Sequence, residues 1–288
     1  MKEHVFAAKG SARRAFERAA TTYDASAVLH REVGQRLFEH LDPIRIEPRR
    51  IVDLGCGTGP AFEALGKRYP QADLIGVDFS TAMLRRARAR TGWLRRTFGH
   101  RGPRLVCTDA ERLPLAHGSV DFVLSNLALQ WCRPENVFAE AARVLPTGGL
   151  FMFSTLGPDT LKELRAAFDE QRHVHDFVDM HDLGDALVHA GFADPVMEME
   201  VITLEYAEVG DLARDLKATG AHNALPARTR GLTTPRRWTR MAERYEAQRR
   251  GGALPATYEI VYGHAWKTAP RRTADGRQVI DFQVRGAS

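Results

Sequence analysis

Short apolar runs and longer segments with apolar residues at helical spacing alternate along the first half of this chain. The runs that predict β-strands are 51–54, 73–77, 104–107, 120–125 and 149–155. The segments that predict the helices between them are 60–68, 80–90 and 134–145. Such an alternation predicts a parallel sheet that helices cover on both faces. Right-handed crossovers then order the strands as a doubly wound sheet.

The two ends of the chain follow other patterns. Apolar residues at helical spacing predict two N-terminal helices, at 11–21 and 27–41. Two long segments near the C-terminus, 196–206 and 257–266, alternate apolar and polar residues and predict a final pair of strands. Residues 158–190 and 208–251 are expected to form helical inserts that Pro and Gly interrupt.

The first predicted strand leads into a glycine-rich turn. The turn carries three glycines at alternate positions, Gly55, Gly57 and Gly59. Because glycine lacks Cβ, a ligand can lie directly against such a backbone, and the helix that follows presents free N–H groups. A dinucleotide-binding turn requires glycine or alanine at its sixth position, where this chain has Pro60. The turn therefore favours a different cofactor, although a βα turn without a ligand is the alternative.

An acidic residue, Asp53, lies two positions before the first glycine, and the whole pattern resembles the first motif of the class I S-adenosylmethionine-dependent methyltransferases. In that superfamily the turn meets the methionine part of the ligand, and a carboxylate suits its α-amino group and sulfonium. Asp78 ends the second strand at about the 20-residue spacing at which nucleotide folds place a ribose-binding acid. Asp109 follows the third strand, where the superfamily places an acid against the adenine amino group, although Asp109 as a turn cap is the alternative.

The resemblance implies S-adenosyl-L-methionine as the cofactor and a set of residues that bind it. These residues are Asp53, Gly55, Gly57, Gly59, Asp78, Phe79, Met83, Asp109, Ala110, Asn126 and Leu127. The segment 125–132 lacks the Asn/Asp-Pro-Pro-Tyr element that amino- and base-methylating members usually carry, which argues against nucleic-acid methylation. Trp131 in this segment either faces the transferred methyl group or belongs to the core.

Composition and charge indicate the class of protein, its expected compartment and its possible partners. The hydrophobic content of 44% is ordinary for a globular protein, and no apolar run approaches the ~20 residues that span a bilayer. The N-terminus carries no signal-peptide pattern, and the three cysteines have no metal-ligand spacing, so we expect a cytoplasmic protein. Arginines cluster within 85–104 and 228–250. Such clusters fit a nucleic acid, an acidic protein, or a solvated surface with no partner.

Further segments narrow the resemblance from the superfamily to one family. They are 125–132, 154–165, 182–192, 220–223, 254–259 and 262–267, together with the N-terminal segment 16–24. These segments resemble the malonyl-[acyl-carrier protein] O-methyltransferase family of biotin synthesis, and the similarity runs from about Arg14 to Lys267. A related group of methyltransferase-like arginine hydroxylases, which act as assembly factors, usually has a histidine where this chain has Gln130. That difference favours the biotin family.

The family implies methylation of the free carboxylate of a malonyl thioester on acyl carrier protein or CoA, with no nucleic-acid or membrane partner. The methyl ester would prime pimeloyl synthesis. Because a carboxylate is already ionised at neutral pH, we expect no catalytic triad, and His173, His181 and His222 have no proton to remove. Tyr23 and Arg172 are the candidates for positioning the substrate. A small-acid O-methyltransferase and a non-catalytic S-adenosylmethionine-binding protein are the alternatives.

The resemblance implies one Rossmann-like class I methyltransferase domain, with a seven-stranded, mostly parallel sheet, helices on both faces and helical lid inserts. We expect this domain to span residues 1–288. Its expected parts are N-terminal cap helices at 1–45, a cofactor-binding core at 46–156, substrate-side inserts and the last strands at 157–267, and a loose tail at 268–288.

Overall fold

The computed structural model describes residues 9–98, 102–168, 177–220 and 235–269, with the side chains of 93–98 set aside. The strands are β1 (Arg50–Leu54), β2 (Asp73–Asp78), β3 (Arg104–Cys107), β4 (Phe122–Asn126), β5 (Leu150–Leu156), β6 (Phe192–Tyr206) and β7 (Leu254–Lys267). The helices are α1 (Lys9–Ala19), α2 (Tyr23–Ser26), α3 (Val28–Leu41), α4 (Ala61–Arg68), α5 (Thr81–Phe98), α6 (Pro134–Val144), α7 (Lys162–Ala167), α8 (Met180–His189), α9 (Val209–Ala218) and α10 (Pro235–Glu246).

The strands form one seven-stranded sheet in the order β3-β2-β1-β4-β5-β7-β6. Strands β1 to β5 pair in parallel, whereas β7 runs antiparallel to both β5 and β6. The chain progresses from β1 to β3 on one side and resumes at β4 on the other side of β1. This reversal opens a crevice at the carboxyl ends of β1 and β4, the position where open α/β sheets bind their ligands.

Successive side chains of the buried strands point to opposite faces of the sheet and build two cores. The strand residues of the first core include Val52, Leu54, Val77, Val123, Phe151 and Phe153, and α6 and α8 cover them. The strand residues of the second core include Ile51, Phe122, Leu124, Leu150 and Met152, and α3, α7 and α10 cover them. The near-continuous apolar runs in the sequence are the consequence of burial on both faces.

The N-terminal helices contact α5 of the core and α9 of the later inserts. Helix α1 packs against α5, and α2 contacts α9. The hydroxyl of Thr22 donates a hydrogen bond to the carbonyl of Ala218 at 3.3 Å, which ties the N-terminal helices to the end of α9. Helix α10 packs against both α7 and α9 and buries Met241 and Tyr245. The N-terminal helices and the later inserts therefore meet beside the crevice.

Every predicted strand is confirmed, with shifts at the ends. The largest shift is in β6, which begins at Phe192 instead of residue 196, with an irregular register between Ala193 and Val196. Pro195 interrupts the alternation there, and an edge strand tolerates proline because one side of its backbone needs no partner. Helix α5 continues to Phe98, eight residues beyond the predicted end. Within the described ranges, no helix has the length and apolarity required to cross a bilayer.

Candidate functional site

A cavity that is partly open to solvent lies at the carboxyl ends of the central strands. The lining residues are Lys9, Phe16, Tyr23, Gly55, Gly57, Val77, Asp78, Phe79, Met83, Thr108, Asp109, Ala110, Asn126, Leu127, Ala128, Trp131 and Cys132. They come from the ends of β1, β2, β3 and β4 with the loops that follow, from the first turn of α5, and from α1 and α2, so the sheet forms the floor and the N-terminal helices form the roof.

The three glycines of the turn have different roles. All three have positive φ, which favours glycine. A Cβ on Gly57 would meet no atom within 4 Å, so this position faces open space in the cavity wall. A Cβ on Gly55 would lie 2.3 Å from the Cβ of Ala128, and one on Gly59 would lie 2.6 Å from the ring of Phe62. A side chain at Gly55 or Gly59 would therefore collide with the protein itself, so both glycines permit close packing; Gly55 also lines the cavity, and the assignment of all three glycines to a ligand stays a prediction.

Two buried carboxylates end the first two strands. Asp78 accepts a hydrogen bond from the backbone N–H of Gly57 at 2.9 Å and another from that of Ser80 at 2.7 Å. Burial raises the pKa of Asp78 to about 6, although these hydrogen bonds oppose the shift. Burial and the charge of Asp78 raise the pKa of Asp53 to about 7. Among the described residues, the buried Oδ2 of Asp53 has no hydrogen-bond partner. This oxygen therefore lacks a hydrogen-bond donor in the described part of the chain.

At the end of β3, Asp109 carries an interaction that the sequence did not predict. The ammonium of Lys9 contacts both carboxylate oxygens of Asp109, at 2.8 and 2.6 Å, and forms an ion pair with Glu111 at 2.6 Å. Burial lowers the pKa of Lys9, but the hydrogen bonds to the two carboxylates outweigh this effect, so the net pKa is raised. Lys9 and Asp109 both line the cavity, whereas Glu111 does not.

The loop after β4 closes another wall of the cavity. The side-chain amide of Asn126 donates to the carbonyl of His30 at 2.9 Å, and its oxygen accepts from the hydroxyl of Ser154 at 2.7 Å. Asn126 therefore shapes the wall through bonds within the protein. Leu127 has φ of 46°, and Trp131 is both buried and part of the lining. Trp131 therefore belongs to the core and also lines the cavity, and its position facing the transferred methyl group stays a prediction.

Aromatic residues of the N-terminal helices cover the cavity. The ring of Phe16 lies edge-on to Trp131 at 5.2 Å and to Phe79 at 5.7 Å between centroids, which is a favoured aromatic geometry. Tyr23 lies 5.4 Å from the ring of His30. Burial and the nearby charge of Asp78 raise the pKa of Tyr23, so its hydroxyl stays protonated at neutral pH. Burial lowers the pKa of His30 to about 4, so this imidazole is neutral there.

Polar contacts hold these helices on the core. The carboxylate of Glu17 accepts from the backbone N–H groups of Thr81 at 2.8 Å and Ala82 at 3.1 Å, at the first turn of α5. The carboxylate of Asp24 accepts from the hydroxyl of Thr58 at 2.5 Å and forms an ion pair with Arg90 at 2.8 Å. Access to the cavity on this side therefore depends on contacts from α1 and α2.

Most of the residues predicted for the cofactor lie together around this cavity. Those on its wall are Gly55, Gly57, Asp78, Phe79, Met83, Asp109, Ala110, Asn126 and Leu127, and Tyr23, which was predicted to position the substrate, lines the cavity as well. Asp53 and Gly59 are buried residues outside the lining. Arg172, His173 and His222 lie outside the described residues. His181 is exposed and bonded to Asp179, which excludes it from the cavity wall. The main residues that sequence reasoning missed are Lys9, which precedes the segments that carry the resemblance, and Phe16, which lies in the segment 16–24 but was given no role in the site.

One group of acidic and sulfur ligands lies at the edge of the cavity. Asp109, Glu111 and Cys132 each place one ligand atom within 4.8 Å of the others. The ammonium of Lys9 already pairs with both carboxylates, and burial raises the pKa of the Cys132 thiol to about 12. A protonated thiol, and carboxylates whose charge is already paired with an ammonium, are poor metal ligands. We therefore assign no metal to this group.

Comparisons with known proteins agree with this geometry. Residues 52–153 match the Methyltransferase domain family. The fold is similar to the crystal structure of the YcgJ protein from Bacillus subtilis, with a TM-score of 0.57 at 17% identity over 81% of this chain and 98% of that chain. The fold is that of the class I S-adenosylmethionine-dependent methyltransferases.

Curated relatives define the family within that class. The chain is 52% identical to the malonyl-[acyl-carrier protein] O-methyltransferase of Gallionella capsiferriformans, over 94% of this chain and 95% of that protein. It is 53% identical to the protein of the same name from Laribacter hongkongensis, over 98% of both chains. The chain belongs to the malonyl-[acyl-carrier protein] O-methyltransferase family, and the resemblance inferred from the sequence is confirmed.

Proposed function

We propose that this protein binds S-adenosyl-L-methionine and methylates the free carboxylate of a malonyl thioester on acyl carrier protein. The observation that carries the cofactor assignment is the buried carboxylate of Asp53, whose Oδ2 has no partner among the described residues. It lies two residues before a turn in which Gly57 leaves open space. A ligand with an ammonium and a sulfonium supplies the missing positive charge, and a ligand pressed against the backbone fills the open space.

The cavity also fits the rest of the cofactor. We assign the amino-acid end to Asp53 and Gly57, the ribose to Asp78, and the adenine to Asp109 and Ala110. Phe79 and Met83 supply apolar surface on the same wall. Adenine offers a donor and an acceptor side by side, which a carboxylate and the following backbone N–H complement. When bound, S-adenosyl-L-methionine supplies a methyl group on a positively charged sulfur.

The protein's part in the reaction is mainly alignment and exclusion of water. The malonyl carboxylate is already ionised at neutral pH, given a reference pKa near ~4, so no general base is needed. Phe16 and Tyr23 in the roof, together with Trp131 on the wall, limit the entry of water. The hydroxyl of Tyr23 forms no hydrogen bond with a described residue and stays protonated, so it is the donor we assign to the acceptor carboxylate.

The substrate assignment rests on the names of the relatives, which are malonyl-[acyl-carrier protein] O-methyltransferases. The product would be the malonyl methyl ester that primes pimeloyl synthesis for biotin. The experiment is a methyl-transfer assay that compares malonyl carrier protein, malonyl-CoA and free malonate. We expect the carrier-bound substrate to give the highest kcat/KM. Preferred methylation of free malonate would favour a small-acid O-methyltransferase. Cofactor binding without transfer to any of the three would favour the hydroxylase or a non-catalytic assembly protein.

A further inference from the structure

Lys9 occupies a position that the proposed methyl transfer does not explain. Its ammonium lies between two carboxylates, Asp109 on the cavity wall and Glu111 behind it, and all three nitrogen–oxygen contacts measure 2.6–2.8 Å. Glu111 is itself fixed, because it accepts from the backbone N–H of Arg133 and the side-chain amide of Asn136, each at 2.8 Å. Lys9 begins α1, so this cluster connects α1 to the end of β3 across 100 residues of sequence.

The charge of the cluster excludes one role for Lys9. Two carboxylates surround one ammonium, so the group keeps a net negative charge and is unsuited to bind the anionic malonyl group. The same charge suits the adenine amino group, which is a hydrogen-bond donor. Asp109 also accepts from the backbone N–H of Glu111 at 3.0 Å. A carboxylate has about four acceptor sites, so Asp109 keeps capacity for one more donor while its orientation is fixed.

Helix α1 carries further residues that face the cavity or the core beneath it. Phe16 covers the cavity edge-on to Phe79 and Trp131, and Glu17 binds the first turn of α5. Lys9 and Glu17 are therefore two polar attachments near opposite ends of α1, with Phe16 on the cavity wall next to Glu17. Loss of the Lys9 attachment would free the first turns of α1 while Glu17 still holds its end.

We propose that Lys9 is a positioning residue for the cofactor: it orients Asp109 toward adenine and holds the start of α1 across the adenine end of the cavity. This inference rests on the proposed function, because it takes the assignment of adenine to Asp109 from there. Lys9 acts through Asp109 and α1 and need not touch the reacting atoms. Its loss should weaken cofactor binding and leave the transfer step at saturating cofactor nearly unchanged.

The test compares Lys9→Met, which keeps the apolar stem and removes the charge, with Lys9→Arg and with Lys67→Met. Lys67 pairs with Glu63 on the exposed face of α4, so Lys67→Met removes an ion pair away from the cavity. Calorimetry measures the affinity of S-adenosylhomocysteine and of 5′-methylthioadenosine, which keeps the adenine and lacks the amino-acid end. Lys9→Met should weaken both ligands by the same factor, about tenfold or more, on the scale of one charge-assisted hydrogen bond. Lys9→Arg should recover part of the loss, and Lys67→Met should match the wild type.

Two further measurements separate positioning from a general loss of stability. In Lys9→Met, KM for S-adenosylmethionine should rise while kcat changes less than about twofold, because the reacting atoms are untouched. Hydrogen exchange should show that cofactor protects the amides of α1 in the wild type and no longer protects its first turns in Lys9→Met, whereas the turn at Gly57 stays protected in both.

The outcomes distinguish this inference from the proposed function. If the wild type binds neither ligand, the proposed function is contradicted at the cofactor assignment itself. If the wild type binds both ligands and Lys9→Met binds them equally well, or loses affinity only for S-adenosylhomocysteine, the assignment of Lys9 to the adenine end is wrong. A fall in kcat with unchanged cofactor affinity would also overturn it.

Discussion

At the residue scale, Gly57 is a position where an added side chain would enter the space assigned to the ligand. A Cβ on Gly57 meets no protein atom, although its φ of +53° makes any side chain there strained. We predict that Gly57→Ala lowers S-adenosylmethionine affinity by about tenfold or more, because the methyl group enters the space assigned to the ligand, and that it destabilises the fold by ~1–2 kcal/mol through backbone strain. Calorimetry and thermal unfolding measure the two effects.

The matched control for that variant is Gly148→Ala. Gly148 also has positive φ, at +81°, with no atom within 4 Å of a Cβ, but it lies in the turn before β5 and away from the cavity. It should lose similar stability and keep full cofactor affinity. Equal affinity losses in the two variants would show that strain, and not contact with the ligand, explains the effect at Gly57.

Also at the residue scale, the raised pKa of Asp53 predicts that cofactor binding depends on pH. Burial raises this pKa to about 7, so the free protein binds a proton here below pH 7. A cationic ligand favours the ionised form, so binding releases that proton and affinity increases as pH rises from 5.5 to 7. With a pKa of about 7, full linkage gives about a 15-fold change between pH 5.5 and 7, because the factor of ten per pH unit falls off as the pH approaches the pKa.

Asp53→Asn tests the origin of this pH dependence. Asparagine keeps the shape of the side chain and cannot ionise, so the variant should bind S-adenosylmethionine more weakly at pH 7 and show a flatter profile between pH 6.5 and 7. In the free protein, folding stability depends on pH in the opposite direction to ligand affinity. The folded state keeps a proton on Asp53 up to about pH 7, whereas the unfolded state releases it near pH 4. The contribution of Asp53 to stability therefore declines between about pH 4 and 7. Calorimetry at several pH values measures the binding profile. A wild-type profile that is flat from pH 5.5 to 7 would contradict the assignment of Asp53.

At the element scale, α1 supplies the cap of another helix. Burial opposes ionisation of Glu17, but hydrogen bonds from Thr81 and Ala82 outweigh it, so the pKa of Glu17 is lowered. We predict that Glu17→Gln costs about 1 kcal/mol, as for a helix cap, and speeds hydrogen exchange in α1 and in the first turn of α5. The stabilisation is present at neutral pH and is lost as pH falls through the lowered pKa, so the two proteins should converge in acid.

Glu63→Gln is the control for that prediction, because Glu63 forms an exposed i,i+4 ion pair with Lys67 on α4. Such pairs contribute little to stability, so this variant should unfold at nearly the wild-type temperature. If Glu17→Gln behaves in the same way and the amides of α1 exchange at the wild-type rate, α1 is held on the core by its apolar contacts alone.

At the scale of the whole molecule, the distribution of arginines predicts where a carrier protein docks. Acyl carrier proteins are generally acidic. Helix α10 buries Met241 and Tyr245 and keeps Arg236 and Arg240 exposed, with Arg237 partly exposed. Helix α10 packs on α9, and α9 contacts α2, so α10 is connected through α9 to the helices that form the roof of the cavity.

We therefore predict that reversing Arg236, Arg237 and Arg240 to Glu raises KM for malonyl carrier protein by roughly tenfold, because charges at the rim of an interface act on encounter. Activity on malonyl-CoA should change much less, and added salt should weaken only the carrier-dependent reaction of the wild type. Circular dichroism checks that the triple variant folds. Reversing Arg85, Arg86 and Arg88 on α5, which are also exposed, is the matched comparison. A larger increase in KM for the α5 variant would indicate that the carrier protein docks at α5 instead.

The sequence by itself determined the order of strands and helices, the glycine turn and the family. These features depend on local periodicity and on short motifs, which a single sequence displays directly. It also pointed to Gly57, Asp78 and Asp109, which line the cavity, because each lies at or within three residues of the carboxyl end of a parallel strand, and such strand ends meet at one edge of the sheet. The raised pKa of Asp53 could not be predicted from the sequence, since it depends on burial and on a neighbouring charge.

Only the tertiary structure decided how the cavity is covered. Lys9 lies 100 residues from Asp109, and Glu17 lies 64 residues from Thr81. No local pattern marks such partners, because their proximity results from the packing of α1 across the sheet edge. The different roles of the three glycines were likewise hidden, since Ala128 and Phe62 reach Gly55 and Gly59 only after the chain has folded. Long-range contacts thus determined the roof of the site, whereas short-range patterns determined its floor.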